Sequence, residues 1–436
     1  MINNSNIEKI LSSRDFSIRI NELKLFLNYY FLNQRPKNFL AYQEELIKCL
    51  PEIMKKMSFD ELMEIIPNFY QFCYTISLDQ FFEKNQNEIR EKVLIPFSLK
   101  LKTSLKKLDL KPLYFETIKE NYLIICRHAL TKGSYAPGAV IYSMTDALLK
   151  SEKKVIILSL GSVDKTFQSL KSKNKNLEIF QKHKNATPTK QLINVIKICQ
   201  NYKPTKIITE MPVNILTALY YSKISSKTLY WCPGFKNVPW YDHVLLVPEL
   251  FDKKDYKNKK YTEIPRSINF ELLNPKVELG DINKFKTNQG IEKNNFVMGT
   301  FARYEKISLK FLKLVYKILD DNKLRKIILA GPNDKTLALD VLEKFFKNGQ
   351  AIILGQSDVH LIGNCCNIFL DTIPFPCGSS AVEMMAKKKP VLSLKQKNLS
   401  NYVKSRLPEL VANDEDELKA ILKNLETNSD FYSKMS

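Results

Sequence analysis

From residue 116 onward one local pattern recurs: a short apolar run, then a helical stretch whose apolar residues fall three and four apart. The runs Tyr122–Cys126, Val155–Leu160, Lys206–Thr209, Thr228–Trp231 and Val244–Val247 read as strands. Gly138–Lys150, Lys190–Gln200 and Asn214–Ser222 read as helices between them. A lysine-rich, turn-prone stretch (Asp252–Lys260) and a linker to about Phe285 interrupt the pattern. It resumes with strands at Phe296–Phe301, Lys326–Ala330, Ala351–Leu354, Asn367–Leu370 and Pro390–Leu394, and helices at Ser308–Leu319, Thr336–Phe346 and Ser379–Lys388. Strands apolar on both faces that alternate with helices specify parallel, doubly wound sheets. Two such series predict an α/β chain with two Rossmann-like domains, 116–285 and 286–436, facing a cleft. Ligands of such folds gather at the carboxyl ends of the strands, so the loops that follow strands are where chemistry is expected.

Residues 1–115 follow a different rule. All twelve glycines lie at or after Gly133, although strand-rich folds depend on glycine for their turns. Ile20–Leu32, Tyr42–Met57 and Phe59–Tyr74 carry apolar residues at helical spacing, punctuated by Pro36, Pro51 and Pro67, as at helix ends or kinks. An all-helical N-terminal region is expected: a scaffold, a partner-binding arm or a cover over a second domain.

The 436 residues carry a formal charge of +21, with 58 lysines against 9 arginines. Together with abundant Asn and Ile, that bias matches the codon drift of an AT-rich genome, and no nucleic-acid signature accompanies it; no nucleic-acid partner is expected. The charge is uneven, at +3 for residues 1–115, +12 for 116–285 and +6 for 286–436. Much of the middle excess lies in Lys171–Lys190 and Lys253–Lys260, which read as solvated loops. An acidic acceptor or peripheral contact with an anionic membrane is a question for that domain. Eight cysteines without a CxxC pair, two of them adjacent (Cys365, Cys366), fit a reducing cytoplasm. Neither a signal peptide nor a transmembrane helix is expected.

The most informative stretch is Asn364–Leu394. A strand ends in Leu370-Asp371, a loop with Pro374 and Pro376 follows, and Cys377-Gly378-Ser379-Ser380 opens a helix. Free N–H groups and the partial positive charge of a helix N-terminus can hold a diphosphate. Gly378 allows close approach, Ser379 and Ser380 add hydroxyls, and Glu383 could accept bonds from both hydroxyls of a ribose. Ser380-Ala381-Val382-Glu383 is equally a capping box, which would make Glu383 structural.

A second candidate, Gly299-Thr300-Phe301-Ala302-Arg303-Tyr304-Glu305-Lys306, ends the first strand of the same domain. Arg303 and Lys306 could neutralise a departing diphosphate, or be solvated charges before the next helix. Cations at a helix N-terminus oppose its dipole, which calls for a compensating anion. His360 could contact a nucleotide base or phosphate, or cap a helix. His183 lies in a Lys/Asn-rich stretch and His243 at a strand start. Arg127-His128 ends the strand Tyr122–Cys126, ahead of the loop Thr131–Gly138. There His128 could deprotonate an acceptor, or be a loop histidine bonded to backbone. No GxGxxG, GxxxxGK[ST] or HExxH occurs, and Asp414-Glu415-Asp416 reads as an acidic helix start.

Phe301-Ala302-Arg303-Tyr304-Glu305-Lys306-Ile307, His360, Phe369–Pro376, Cys377-Gly378-Ser379-Ser380-Ala381-Val382-Glu383, Lys389-Pro390-Val391-Leu392 and Arg406–Leu410 together carry a resemblance. It resembles the nucleotide-sugar domain of GT-B glycosyltransferases, most of all glycosyltransferase family 41, which holds the O-GlcNAc transferases and the bacterial cytoplasmic N-glucosyltransferases of adhesins. The likeness covers roughly 120–425 and is specific over about 296–410. The bacterial branch also carries an N-terminal all-helical domain. The resemblance implies a GT-B fold and metal-independent, inverting transfer of a hexose from UDP-glucose or UDP-GlcNAc to a protein side chain. It implies no cofactor beyond that nucleotide sugar, and an acceptor protein or glycan as partner. Lys306 and Arg303 would meet the donor diphosphate, Gly378–Ser380 would hold the phosphates and Glu383 the ribose. Asp371 and His360 complete the donor-binding set, and His128 with the Gly133–Gly138 loop falls on the acceptor side as candidate base. The family's ribose-binding Asp is Glu383 here, its Gly/Asn/Thr-rich phosphate loop is Cys-Gly-Ser-Ser, and the paired glutamates of retaining enzymes are missing because position 375 is Phe. A saccharide-directed transferase and a non-catalytic GT-B-like binding module are the rival expectations.

Overall fold

The computed structural model describes residues 9–32, 39–76, 87–108, 118–131, 136–182, 186–211, 215, 217–218, 227–232, 243–246, 261–263, 269–331, 334–374, 376–395 and 407–436. His183, the loop 132–135, the stretch 252–260, Phe375 and Arg406 lie outside them. The chain divides into two compact units: Met1–Leu130 with Met144–Pro265, and Thr131–Ser143 with Arg266–Ser436.

The N-terminal region is helical, with α1 (Phe16–Leu32), α2 (Phe39–Lys56), α3 (Phe59–Ile76) and α4 (Ile95–Lys107), the last continuing from a π-turn at Arg90–Leu94. Pro51 and Pro67 lie inside α2 and α3. A capping box starts α3: the Glu61 carboxylate accepts from Ser58 N at 2.8 Å, and Ser58 Oγ accepts from Glu61 N at 3.3 Å. Phe26, Leu50, Ile66, Phe69 and Phe97 form the buried interior. This region is joined to the first sheet rather than free of it. Asp60 Oδ1 accepts from the backbone N (2.8 Å) and Oγ1 (2.6 Å) of Thr189, in the first turn of α7 (Pro188–Tyr202). A carboxylate there satisfies an orphan helix N–H and complements the dipole.

The first sheet holds β1 (Ile118–Cys126), β2 (Lys154–Ser159), β3 (Leu177–Gln181), β4 (Pro204–Thr209), β5 (Lys227–Cys232), β6 (His243–Leu246) and β7 (Tyr261–Glu263). Its order is β3-β2-β1-β4-β5-β6-β7, with every pairing parallel. The helices α5 (Ala136–Lys150), α6 (Lys165–Lys173) and α7 connect its first strands. Lys171–Lys190 is therefore not a solvated loop: it contains the end of α6, the edge strand β3 and the start of α7. Only Leu177 of β3 is fully buried, because an edge strand tolerates charge on its open side.

The second sheet repeats the scheme with β8 (Phe296–Phe301), β9 (Arg325–Ala330), β10 (Ala351–Leu354), β11 (Ile368–Leu370), β12 (Val391–Leu394) and β13 (Val411–Ala412), ordered β10-β9-β8-β11-β12-β13 and all parallel. Alternate strand residues face two cores, the consequence of a two-residue period. Met298, Ile327, Leu329, Ile368 and Leu370 pack under α10 (Leu309–Asp321) and α15 (Glu415–Thr427). Val297, Phe301, Ile328 and Phe369 face α9 (Leu279–Asn288), α13 (Val359–Cys365) and α14 (Ser379–Ala386). At the sheet's amino end a buried Arg325 makes a bidentate pair with Glu426, at 2.6 and 2.7 Å, and ties α15 to β9.

Several expectations shift. The supposed linker to Phe285 carries the short α8 (Phe270–Leu273) and α9, whose Ile282 and Phe285 pack on the second core. The helix expected over Thr336–Phe346 is two short ones, α11 (Thr336–Val341) and α12 (Glu343–Lys347). Asp414 is the N-cap of α15, its Oδ1 accepting from Glu417 N at 2.9 Å, with Glu415, Asp416 and Glu417 in the first turn. The helix Asn214–Ser222 falls largely outside the described residues.

Candidate functional site

In both sheets the strand order reverses beside the first strand, between β1 and β4 and between β8 and β11. At such a switch point the connections leave to opposite faces and open a crevice at the carboxyl ends. In the second unit the two loops at that point are clamped together. Thr300 Oγ1 donates to Leu370 O at 2.6 Å, and Ser308 Oγ, the N-cap of α10, donates to Ile373 O at 2.6 Å. Arg303 and Lys306 lie on the β8 loop, in a single 3-10 turn ahead of that cap, both half-buried. Gly331 permits the loop's path, since a Cβ there would stand 1.8 Å from Ala302 O. Tyr304 braces it from below, donating its hydroxyl to Leu354 O at 2.6 Å, and burial raises that hydroxyl's pKa well above its ordinary value.

Asp371 is 2% exposed and serves the loop itself. Its Oδ1 accepts from Thr372 N (3.0 Å) and Cys377 N (2.6 Å), and its Oδ2 from Ser393 Oγ (3.1 Å). The carboxylate pins residues 372–377 into the turn that delivers Gly378 to the helix start. These bonds make it a loop clamp, and a donor contact would have to share an oxygen that is already engaged.

Gly378 is the N-cap of α14 and no side chain caps it. Ser380 is the second residue of the helix and Glu383 the fifth, so the capping box Ser380–Glu383 does not form: its register is two residues too late. The first N–H groups of α14, with Ser379 and Ser380 in its first turn, therefore lie at the switch point, at the end of the strand next to the one whose loop bears Arg303 and Lys306. Glu383, one turn further along, is half-buried, and desolvation pushes its carboxyl up to about 7, partly offset by Lys387.

Lys387, which sequence reasoning passed over, joins this group. It is 8% exposed, and its Nζ donates to Leu273 O (2.6 Å) and to Glu383 O (3.2 Å) and stands 3.1 Å from His360 Nδ1. Burial lowers its pKa to about 8 against the pull of Glu383 and Asp358. His360 does not cap α13; Asp358 does, accepting from His360 N at 2.9 Å. The i, i+4 spacing of Glu383 and Lys387 was the available signal, but a lysine run (Lys387-Lys388-Lys389) looks solvated in sequence.

In the first unit, His128 lies at the carboxyl end of β1. Its Nδ1 accepts from Ser162 N at 3.1 Å, and a Cβ on Gly161 would stand 2.4 Å from that nitrogen. An amide N–H can only donate, so Nδ1 holds the lone pair and Nε2 carries the proton. In this state the ring offers an Nε2–H donor, and service as the expected base would require Nδ1 to leave Ser162 N. Burial and the neighbouring Arg127 lower its pKa from the ordinary histidine value. Neighbouring Arg127 donates its backbone N–H to Glu210 Oε1, at the end of β4, at 2.8 Å.

Two all-parallel sheets of this order in one chain, preceded here by a helical region, match the GT-B architecture. Solved structures share it. A glycosyltransferase from Rickettsia africae matches with a TM-score of 0.56 at 16% identity, over 73% of this chain and 92% of its own. A variant of the Thermobaculum terrenum O-GlcNAc transferase matches at 0.53 and 14% identity, over 100% of this chain and 92% of its own. Anabaena HepE, in complex with UDP and glucose, matches at 0.51 and 15% identity, over 72% and 92%. At these identities the likeness establishes the fold. No protein-family model and no curated protein matches the chain.

Proposed function

We propose that the chain is a glycosyltransferase of the family 41 type that moves a hexose from UDP-glucose or UDP-GlcNAc to a protein side chain. One observation carries this reading: the uncapped N-terminus of α14 opens at the β8/β11 switch point, beside the loop bearing Arg303 and Lys306. Such a cradle suits a diphosphate, and Glu383 suits the hydroxyls of the attached ribose. HepE, with its UDP and glucose, supports the ligand class. The match to an O-GlcNAc transferase over the whole chain, helical region included, supports a protein acceptor.

In this reading the acceptor nucleophile attacks the anomeric carbon with inversion, the bond from that carbon to the diphosphate oxygen breaks, and UDP departs while the acceptor's proton is released to solvent. Arg303, Lys306 and the helix N–H groups stabilise the charge that develops on UDP, with no metal required. His128 offers an Nε2–H donor on the acceptor side. The +12 charge of residues 116–285 suits an acidic acceptor or an anionic membrane surface, and either would weaken with added salt. Among the described residues no helix is long and apolar enough to cross a membrane.

The test is incubation with labelled UDP-glucose and UDP-GlcNAc in the presence of chelator and co-expressed proteins, read by mass spectrometry. A hexose or HexNAc mass shift on a protein is expected. A shift on glycan alone would redirect the acceptor to saccharide. No release of UDP from any sugar nucleotide, with or without cell extract, would leave a binding module.

A further inference from the structure

The buried ammonium of Lys387 has three N–H donors and three acceptors around it: Leu273 O, Glu383 O and His360 Nδ1. These belong to three elements, α8, α14 and α13, so one side chain joins them. The approach of α13 to α14 is close because residue 363 is glycine. A Cβ there would stand 2.9 Å from Met384 Sδ and 3.1 Å from Lys387 Cδ. A lysine has no lone pair to offer while charged, and an amine whose pKa is lowered only to about 8 is still mostly charged at neutral pH. His360 Nδ1 must therefore accept, and the ring proton must reside on Nε2.

We propose that Lys387 is a positioning residue: it holds His360 in the Nε2–H tautomer, so that the ring presents a donor, and only a donor, to an acceptor oxygen of the bound nucleotide. The tautomer is a property of the free protein; its consequence for the nucleotide rests on the proposed function. Asp358 contributes by fixing the first turn of α13 through His360 N and Leu361 N, which sets the height of the ring against Lys387.

The experiment is long-range 1H–15N spectroscopy of full-length protein with 15N-labelled histidine, with four histidines to observe and His360→Asn to assign the relevant one. At neutral pH wild-type His360 should show a protonated Nε2 and an unprotonated Nδ1. In Lys387→Met, which keeps most of the apolar stem, that preference should be lost. UDP affinity should fall roughly tenfold, the size of one hydrogen bond, while Lys387→Arg should retain the tautomer. An Nδ1–H tautomer in wild type overturns the proposal, and so does an unchanged tautomer in Lys387→Met. If that variant does not fold, Lys387→Gln replaces it, and if neither folds the wild-type spectrum decides. Should wild type bind no UDP, the glycosyltransferase reading fails, while the tautomer lock is still judged by the spectrum alone.

Discussion

Replacing Glu383 by Gln should stabilise the protein at pH 8 and change it little at pH 5. The carboxyl is held at about 7 against an ordinary 4.5, chiefly by desolvation. A carboxyl whose pKa rises on folding keeps its full stability below the unfolded value and loses it as pH climbs toward the folded value. Above that the loss stops growing. With those two values, linkage gives a penalty of about 1 kcal/mol at pH 5 and about 3 kcal/mol at pH 8. Glutamine removes the charge and with it the penalty. The attraction of Lys387 is already contained in that net value. The same ionisation should serve binding, because only the carboxylate accepts strongly from both ribose hydroxyls. Wild-type affinity for UDP should therefore rise as pH passes through about 7, while that of Glu383→Gln stays flat. Denaturant midpoints and UDP titrations at pH 5 and pH 8 measure both effects. A variant equally stabilised at the two pH values, or a wild type whose affinity ignores pH, would refute the placement of Glu383 in a desolvated ribose site.

Three further outcomes test the scaffold and the chemistry. Lys306→Ala should lower turnover by roughly 10²–10³, the worth of one donor at a developing oxyanion, and near-normal turnover would remove Lys306 from the site. Gly331→Ala forces a Cβ into the Ala302 carbonyl and should cost about 1–3 kcal/mol while displacing Arg303, measurable as lost stability together with weakened UDP binding. Asp371→Ala strands the buried N–H groups of Thr372 and Cys377, at about 1–3 kcal/mol each. It should lower stability by a similar amount at any UDP concentration, whereas a loss confined to UDP affinity would make Asp371 a ligand contact after all.

Much of the candidate site at β8 and β11 was legible in the chain because strands, helix starts and strand-end loops are local features. The run Ile368–Leu370 followed by a Pro-rich loop and Gly378 announces a strand, a turn and a helix N-terminus, and all three are present. What sequence left ambiguous was register. Ser380 and Glu383 satisfy the capping-box pattern equally well whether the helix begins at residue 379 or 381, and only the Asp371 clamp on Cys377 N sets the start at Ser379. The edge strands β3 and β13 were missed because each has a single fully buried residue, and the three-residue β7 was missed as well. Helix α9 was missed because its N-cap, Glu278, makes no side-chain cap and gives no start signal.

Sequence alone determined the alternation of buried strands and helices, the glycine-free helical beginning and the position of each candidate at a strand end. These follow from nearest-neighbour chemistry and hydrophobic period. Tertiary structure decided what each polar group does once there. Asp371 became a loop clamp, His128 a donor held by Ser162, and Lys387 a buried partner of His360. Each outcome depends on a hydrogen bond between residues 6 to 34 positions apart, and no local pattern records which lone pair a distant N–H will occupy.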